Sequence, residues 1–211
     1  MSDSPMPGSH GEHELQLQHN TTQRAESFYK TQMLDHLNDR MAALVRSMDM
    51  MFISTADRSG ACDCSIRCGS EGFVHILNNR TLVFPEYRGN GVMASLGNIS
   101  ENAHIGLLFV DFFKDCIGLH VNGSARILEN AGMLELPDLP ADLLRDAELR
   151  GGRRAERWVA VDVHEAYIHC AKHIPLLARL PKKIQWGTDD PQKKGGDYFA
   201  IAAERNNPFE R

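Results

Sequence analysis

Apolar and polar positions change period several times along the chain. From Gln23 to about Met48, Phe28, Met33, Leu34, Leu37, Met41, Leu44 and Val45 recur at three- and four-residue steps, which predicts helix. Met50–Ala56 then reads as a strand, Asp57-Arg58-Ser59-Gly60 supplies turn chemistry, and Ala61–Arg67 returns as the second strand of a hairpin. A further hairpin-like unit runs through Gly72–Leu77, the turn Asn78-Asn79-Arg80, and Thr81–Phe84. His104–Val110 is strongly apolar and predicts a central strand. Gly118–Leu128 alternates, and Trp158–His164 is the last clear strand. Helix is also expected over residues 130–150, broken at Pro137 and Pro140, and over Ala171–Leu180, ending before Pro181.

The sum is six or seven strands in hairpin order with few helices. That predicts an antiparallel barrel with flanking helices, mainly β within the α+β class, and not a parallel doubly wound sheet. No G-x-G-x-x-G or G-x-x-x-x-G-K-[ST] occurs, so neither a dinucleotide fold nor a P-loop is supported. Residues 1–22 are polar and aperiodic and read as a flexible arm. Residues 23–181 form the barrel domain with its N-terminal helix and the helical insertion near 130–150, and residues 182–211 form a charged C-terminal arm.

Composition narrows the function. The 211 residues suffice for one sizeable core, and 42% hydrophobic with 24% charged residues is ordinary for a globular protein. A net charge of −5 argues against a general nucleic-acid binder. No apolar run approaches the ~20 residues of a membrane span, and the N-terminus lacks a basic region followed by an apolar core, so a cytoplasmic location is expected. An odd count of five cysteines argues against a disulfide framework. Cys62, Cys64 and Cys68 share strand parity, and with His169, Cys170 and His173 they make a zinc site on paper. There is no C-x₂-C pair, and Gly69 bends the chain, so reduced thiols and no metal are expected. His10, His13 and His19 fall in the N-terminal arm and read as tail residues.

The stretch with most chemistry is Glu86–Ile99. Gly89-Asn90-Gly91 makes a turn in which N–H groups can converge, and Met93, Leu96 and Ile99 follow at helical spacing. A glycine turn feeding a helix N-terminus favours an anion, since free N–H groups and the helix dipole both face it. The same turn also reads as a simple polar cap on a connecting helix.

Several pieces, in this order and spacing, resemble the pyridoxamine 5′-phosphate oxidase-like FMN-binding split β-barrel family. They are Phe52–Gly60, Asp63-Cys64-Ser65-Ile66-Arg67, Gly72-Phe73-Val74, Leu82-Val83-Phe84-Pro85, Gly89-Asn90-Gly91, Ser95–Ile99, Gly106–Phe109 and Val121-Asn122-Gly123. The resemblance implies a six- to seven-stranded split barrel and a homodimer with FMN at the subunit interface. It implies cofactor contacts from Ser65, Ile66 and Arg67, from Phe84 and Pro85, from Asn90, Gly91, Ser95 and Leu96, and from Lys172 near the reducible end of the flavin. Ser65 and Arg67 are two apart and share a strand face, where a guanidinium can fork onto phosphate beside a hydroxyl donor; a solvated strand face is the alternative for Arg67.

Departures from the family pattern matter. True pyridoxamine phosphate oxidases carry an Arg-Lys pair where this chain has Ala94 and Ser95, and a C-terminal Arg-x-His pair that is missing after Trp158. A related subgroup has an Asn-Cys-Pro turn where this chain reads His169-Cys170-Ala171-Lys172-His173-Ile174. The implied function is an FMN-dependent oxidoreductase acting on an unidentified small molecule, with NAD(P)H as a candidate donor. A non-catalytic flavin- or haem-binding protein and an F420-dependent reductase are the alternatives. His169 and His173 stand four apart and could share a helix face, to bind substrate, ligate iron or cap; Trp186 could stack on a flavin or anchor the tail.

Overall fold

The computed structural model describes residues 6–205; the outermost parts of both expected arms lie outside the described residues. Two helices come first, α1 (His10–Gln18) and α2 (Thr22–Gln32), followed by a two-residue strand β1 (Met33–Leu34) and α3 (Asp39–Ser47). The barrel strands are β2 (Met50–Ala56), β3 (Cys62–Cys68), β4 (His75–Asn78) and β5 (Thr81–Tyr87), then β6 (His104–Val110), β7 (Gly118–Leu128) and β8 (Ala155–His169). Between them lie α4 (Ala94–Glu101), α5 (Asn130–Leu134) and α6 (Ala141–Ala147), and α7 (Ile201–Arg205) follows β8 at a distance.

All strands pair antiparallel in one sheet, in the order β3-β2-β6-β7-β8-β5-β4, with β1 added on β8. The sheet is not closed, since β3 and β4 end the pairing path; this is the expected split barrel, with seven strands on the path and one short addition. The β2–β3 hairpin turns where the sequence says it should. The Asp57 carboxylate accepts from the Ser59 and Ala61 N–H groups at 2.8 and 2.9 Å, and Gly60 takes φ +88°.

The longest strand, β8, holds the sheet together by pairing with β7 from Trp158 to His169, with β5 through residues 155–162, and with β1 at Ala166 and Tyr167. Register shifts against β7 at Asn122/Gly123, where a Cβ on Gly123 would stand 2.1 Å from the Asp162 carbonyl oxygen. Inward residues of β2, β5, β6, β7 and β8, among them Met51, Ile53, Phe84, Leu107, Phe109, Val121 and Val161, form the core with Phe73. A second cluster, with Trp158, Val83, Ala160, Met133 and Leu143, buries α5 and α6 against the other face of β5 and β8.

Two helical expectations are corrected. The run 23–48 is split: Met33 and Leu34 leave the helix to pair with Tyr167 and Ala166, and Asn38 restarts it by capping the Met41 N–H at 3.0 Å. Ala171–Leu180 forms only a 3₁₀ turn, Ala171–His173. Pro175 sits inside that run, where it removes a donor and disfavours the helical conformation of Ile174. Within the segment read as an aperiodic arm, α1 is a helix that buries no residue, with Ser9 accepting from the Glu12 N–H at 3.2 Å.

Candidate functional site

Strand alternation builds one wall of a groove. Along β3, Asp63, Ser65 and Arg67 are half-buried, while Cys62, Cys64, Ile66 and Cys68 face outward. The opposite wall is the turn after β5 and the start of α4. Gly91 takes φ +84°, the Asn90 side-chain oxygen accepts from the Val92 N–H at 3.0 Å, and Met93 enters the helix with φ 56°. The helix is anchored by Ile99 in the core and by the Asn98 amide, which donates to Thr55 Oγ1 at 3.0 Å. Its first intrahelical closure is Gly97 N–H to Met93 O at 2.8 Å, so the N–H groups of Ala94, Ser95 and Leu96 lie ahead of the first closed turn.

These walls enclose a groove of about 920 Å³, within the roughly 300–1,000 Å³ range of small-molecule sites. Ser65, Ile66, Arg67, Asn90, Gly91, Ser95 and Leu96 all line it. Phe84 and Pro85 do not. Phe84 is 0% exposed in the core, and Pro85 is buried opposite Trp158. Lys172 is exposed on the 3₁₀ turn beyond β8 and is not among the lining residues.

The groove already carries its own anions. Asp63 Oδ2 accepts from the hydroxyls of Ser65 at 3.1 Å and Ser95 at 3.3 Å. Arg67 Nε donates to Glu86 Oε1 at 2.7 Å, and its Nη1 donates to the Ile66 carbonyl at 3.3 Å. Both side chains of the Arg67–Glu86 pair are mostly buried, at 20% and 12% exposed. Burial pushes the Glu86 carboxyl above the usual carboxylate range, although the Arg67 charge pulls it down. Three of the five N–H donors of Arg67 keep no protein partner among the described residues.

The chain beyond β8 returns to roof the groove. Ile184, Gln185, Trp186, Gly187 and Asp189 line it. Trp186 packs edge-on against Tyr87 with ring centroids 5.4 Å apart, and Arg88 pairs with Asp189 at 2.7 Å. Burial, with the Asp146 charge, pushes the Tyr87 phenol up to about 12. The backbone at Trp186 lies so close to Gly152 that a Cβ there would stand 2.0 Å from the Trp186 carbonyl oxygen. Trp186 therefore anchors this returning segment.

The histidines lie elsewhere. His169 is in β8, not on a helix with His173, and its Nδ1 is 2.8 Å from His120 Nε2. His120 stacks on Tyr167 at 4.7 Å, and burial together with His169 lowers its pKa. Cys62, Cys64 and Cys68 are on a strand separated from β8 by three others, and no cluster of three metal-ligating side chains occurs among the described residues.

Sequence reasoning did not single out Asp63 or Glu86 as site residues. Asp63 had a usable signal, the two-residue step it shares with Ser65 and Arg67. Glu86 had none, because β3 and β5 do not pair and only the curl of the sheet brings it to Arg67.

A sequence model of the family described as pyridoxamine 5′-phosphate oxidase matches residues 37–170, more than half of the chain. No curated protein matches. Among solved structures, HupZ of Group A Streptococcus is 16% identical, with 67% of this chain and 99% of that one covered, at a TM-score of 0.46. A Clostridium acetobutylicum protein related to general stress protein 26, of the pyridoxinephosphate oxidase family, is 15% identical over 62% of this chain and 85% of its own, at 0.39. An F420 reductase is 15% identical over 62% and 98%, at 0.40.

Proposed function

The chain belongs to the pyridoxamine 5′-phosphate oxidase family, and from that premise we propose that it is an FMN-dependent oxidoreductase acting on a small molecule. The observation that carries this reading is the convergence of Ser65 and Arg67 from β3 with Asn90, Gly91, Ser95 and Leu96 from the turn and α4 in one groove.

The residues fit the phosphate end of a flavin. Arg67 keeps donors to spare, Ser65 and Ser95 bring hydroxyls, and Ala94, Ser95 and Leu96, whose N–H groups precede the first closed turn of α4, line the same space. This donor set stands in for the cations that the family's oxidases carry at Ala94 and Ser95. FMN, when bound, supplies the hydride-accepting and hydride-donating chemistry. The chain's own residues hold and orient it. Arg67, braced by Glu86, fixes the phosphate end, and the returning segment through Trp186 excludes water from one side of the groove. Lys172, outside the groove of its own chain, would serve a flavin only from a second copy. A homodimer is therefore part of the proposal, supported by the outer edge of β3, which is unpaired among the described residues, and by Ile66 at 50% exposed.

The test is titration of the protein with FMN, followed by anaerobic addition of NADH or NADPH. Bleaching of bound flavin and reoxidation by a specific acceptor support an enzyme. Tight binding without turnover makes it a flavin carrier or sensor, and preference for F420 or haem redirects the reading to those ligands.

A further inference from the structure

We propose that Asp63 sets the ligand specificity of the groove: its carboxylate is an internal anion that holds both hydroxyl donors, and a ligand phosphate gains Ser65 and Ser95 only by displacing it. This rests on the flavin-phosphate reading above.

Each hydroxyl has a single hydrogen to give. Ser65 and Ser95 both give theirs to Asp63 Oδ2, at 3.1 and 3.3 Å, from two different elements, β3 and α4. Asp63 thereby ties the two walls together at the place where a phosphate would tie them. Two residues beyond Ser65 on the same strand face, Arg67 is engaged by Glu86 at 2.7 Å. Both hydroxyls and the Arg67 Nε–H are thus held by carboxylates before any ligand arrives, while the other Arg67 donors stay available. An entering phosphate meets like charge from Asp63, and the hydroxyls must turn from one acceptor to the other. The groove consequently discriminates among ligands by the charge of that end. It penalises a dianion such as the phosphate of FMN relative to the uncharged ribityl end of riboflavin.

Removing the charge while keeping the shape tests this. Wild type, Asp63→Asn and Asp63→Ala are titrated with FMN and, separately, with riboflavin, with circular dichroism confirming the fold of each. The expected result is that Asp63→Asn tightens FMN by about tenfold or more and leaves riboflavin within about twofold, with Asp63→Ala moving FMN in the same direction. Unchanged or weaker FMN binding in the folded Asp63→Asn protein, with wild type still binding FMN, overturns this inference and leaves the flavin reading standing. Binding of neither flavin by any of the three proteins overturns both.

Discussion

Arg67 donates to Glu86 across 2.7 Å although their strands, β3 and β5, do not pair in the sheet. The guanidinium is thus held between a carboxylate of β5 and the Ile66 carbonyl of its own strand, which fixes its place in the groove. Arg67→Ala is expected to weaken FMN by at least about tenfold, given ~1.5–3 kcal/mol for a hydrogen bond to a charged group. Flavin-fluorescence titration reads this directly, and unchanged affinity would remove Arg67 from the site.

Asp49 and Arg179 secure the chain beyond β8 through two hydrogen bonds, one of them at 2.9 Å, and Arg179 stacks 4.1 Å over Phe113. The hydrogen bonds from Arg179, with its charge, outweigh burial and hold the Asp49 carboxyl below its ordinary value. A depressed folded-state pKa means that the stabilisation is complete above the free Asp value of ~3.9 and is lost as pH falls through the lower, folded one. Nearby, the Leu177 amide donates to the Phe112 carbonyl at 2.7 Å and reports on this attachment. Its hydrogen-exchange protection factor is expected to fall below about pH 4 and to be low at every pH in Asp49→Asn. Protection that ignores both changes would mean the pair does not secure the segment.

Gly152→Ala tests the roof of the groove. The added Cβ would meet the Trp186 carbonyl oxygen at 2.0 Å, a backbone atom that cannot rotate away. The segment should lift, Trp186 should lose its edge contact with Tyr87, and tryptophan emission should move to longer wavelength, with faster proteolysis within residues 182–195. Trp158 is fully buried and serves as the internal reference. An unaltered spectrum would show that the segment accommodates the methyl group.

Phe84→Ala separates core from site. Phe84 is fully buried and does not line the groove, so truncation is expected to cost about 3–5 kcal/mol of stability by denaturant unfolding. A large loss of flavin affinity at full stability would return Phe84 to the site.

The sequence made the barrel legible where strand alternation met clear turn chemistry. Asp57–Gly60 fixed the first hairpin, and Val121, Ala125 and their neighbours showed the period of β7. β8 was read as seven residues but spans Ala155–His169, because its ends exchange partners from β5 to β1 and their burial loses simple alternation. The long helix expected to Met48 could not reveal its break, since the pairing of Met33 with Tyr167 is non-local. Seven of the ten cofactor residues implied by the family resemblance line the groove, Ser65, Ile66, Arg67, Asn90, Gly91, Ser95 and Leu96, and for Ser65 and Arg67 the two-residue step along one strand face pointed the same way. Asp63 was legible from the same two-residue step, whereas Glu86 and the roofing segment at Trp186 depend on how the sheet curls and where the chain returns, which local pattern does not encode.

The measurement that tests the central claim most directly is mass spectrometry of the small molecule released on denaturing the purified protein, paired with its absorption spectrum before release. The account predicts the mass of FMN and a flavin spectrum. Haem with a Soret band, F420, or a colourless protein that takes up no FMN on reconstitution would contradict it.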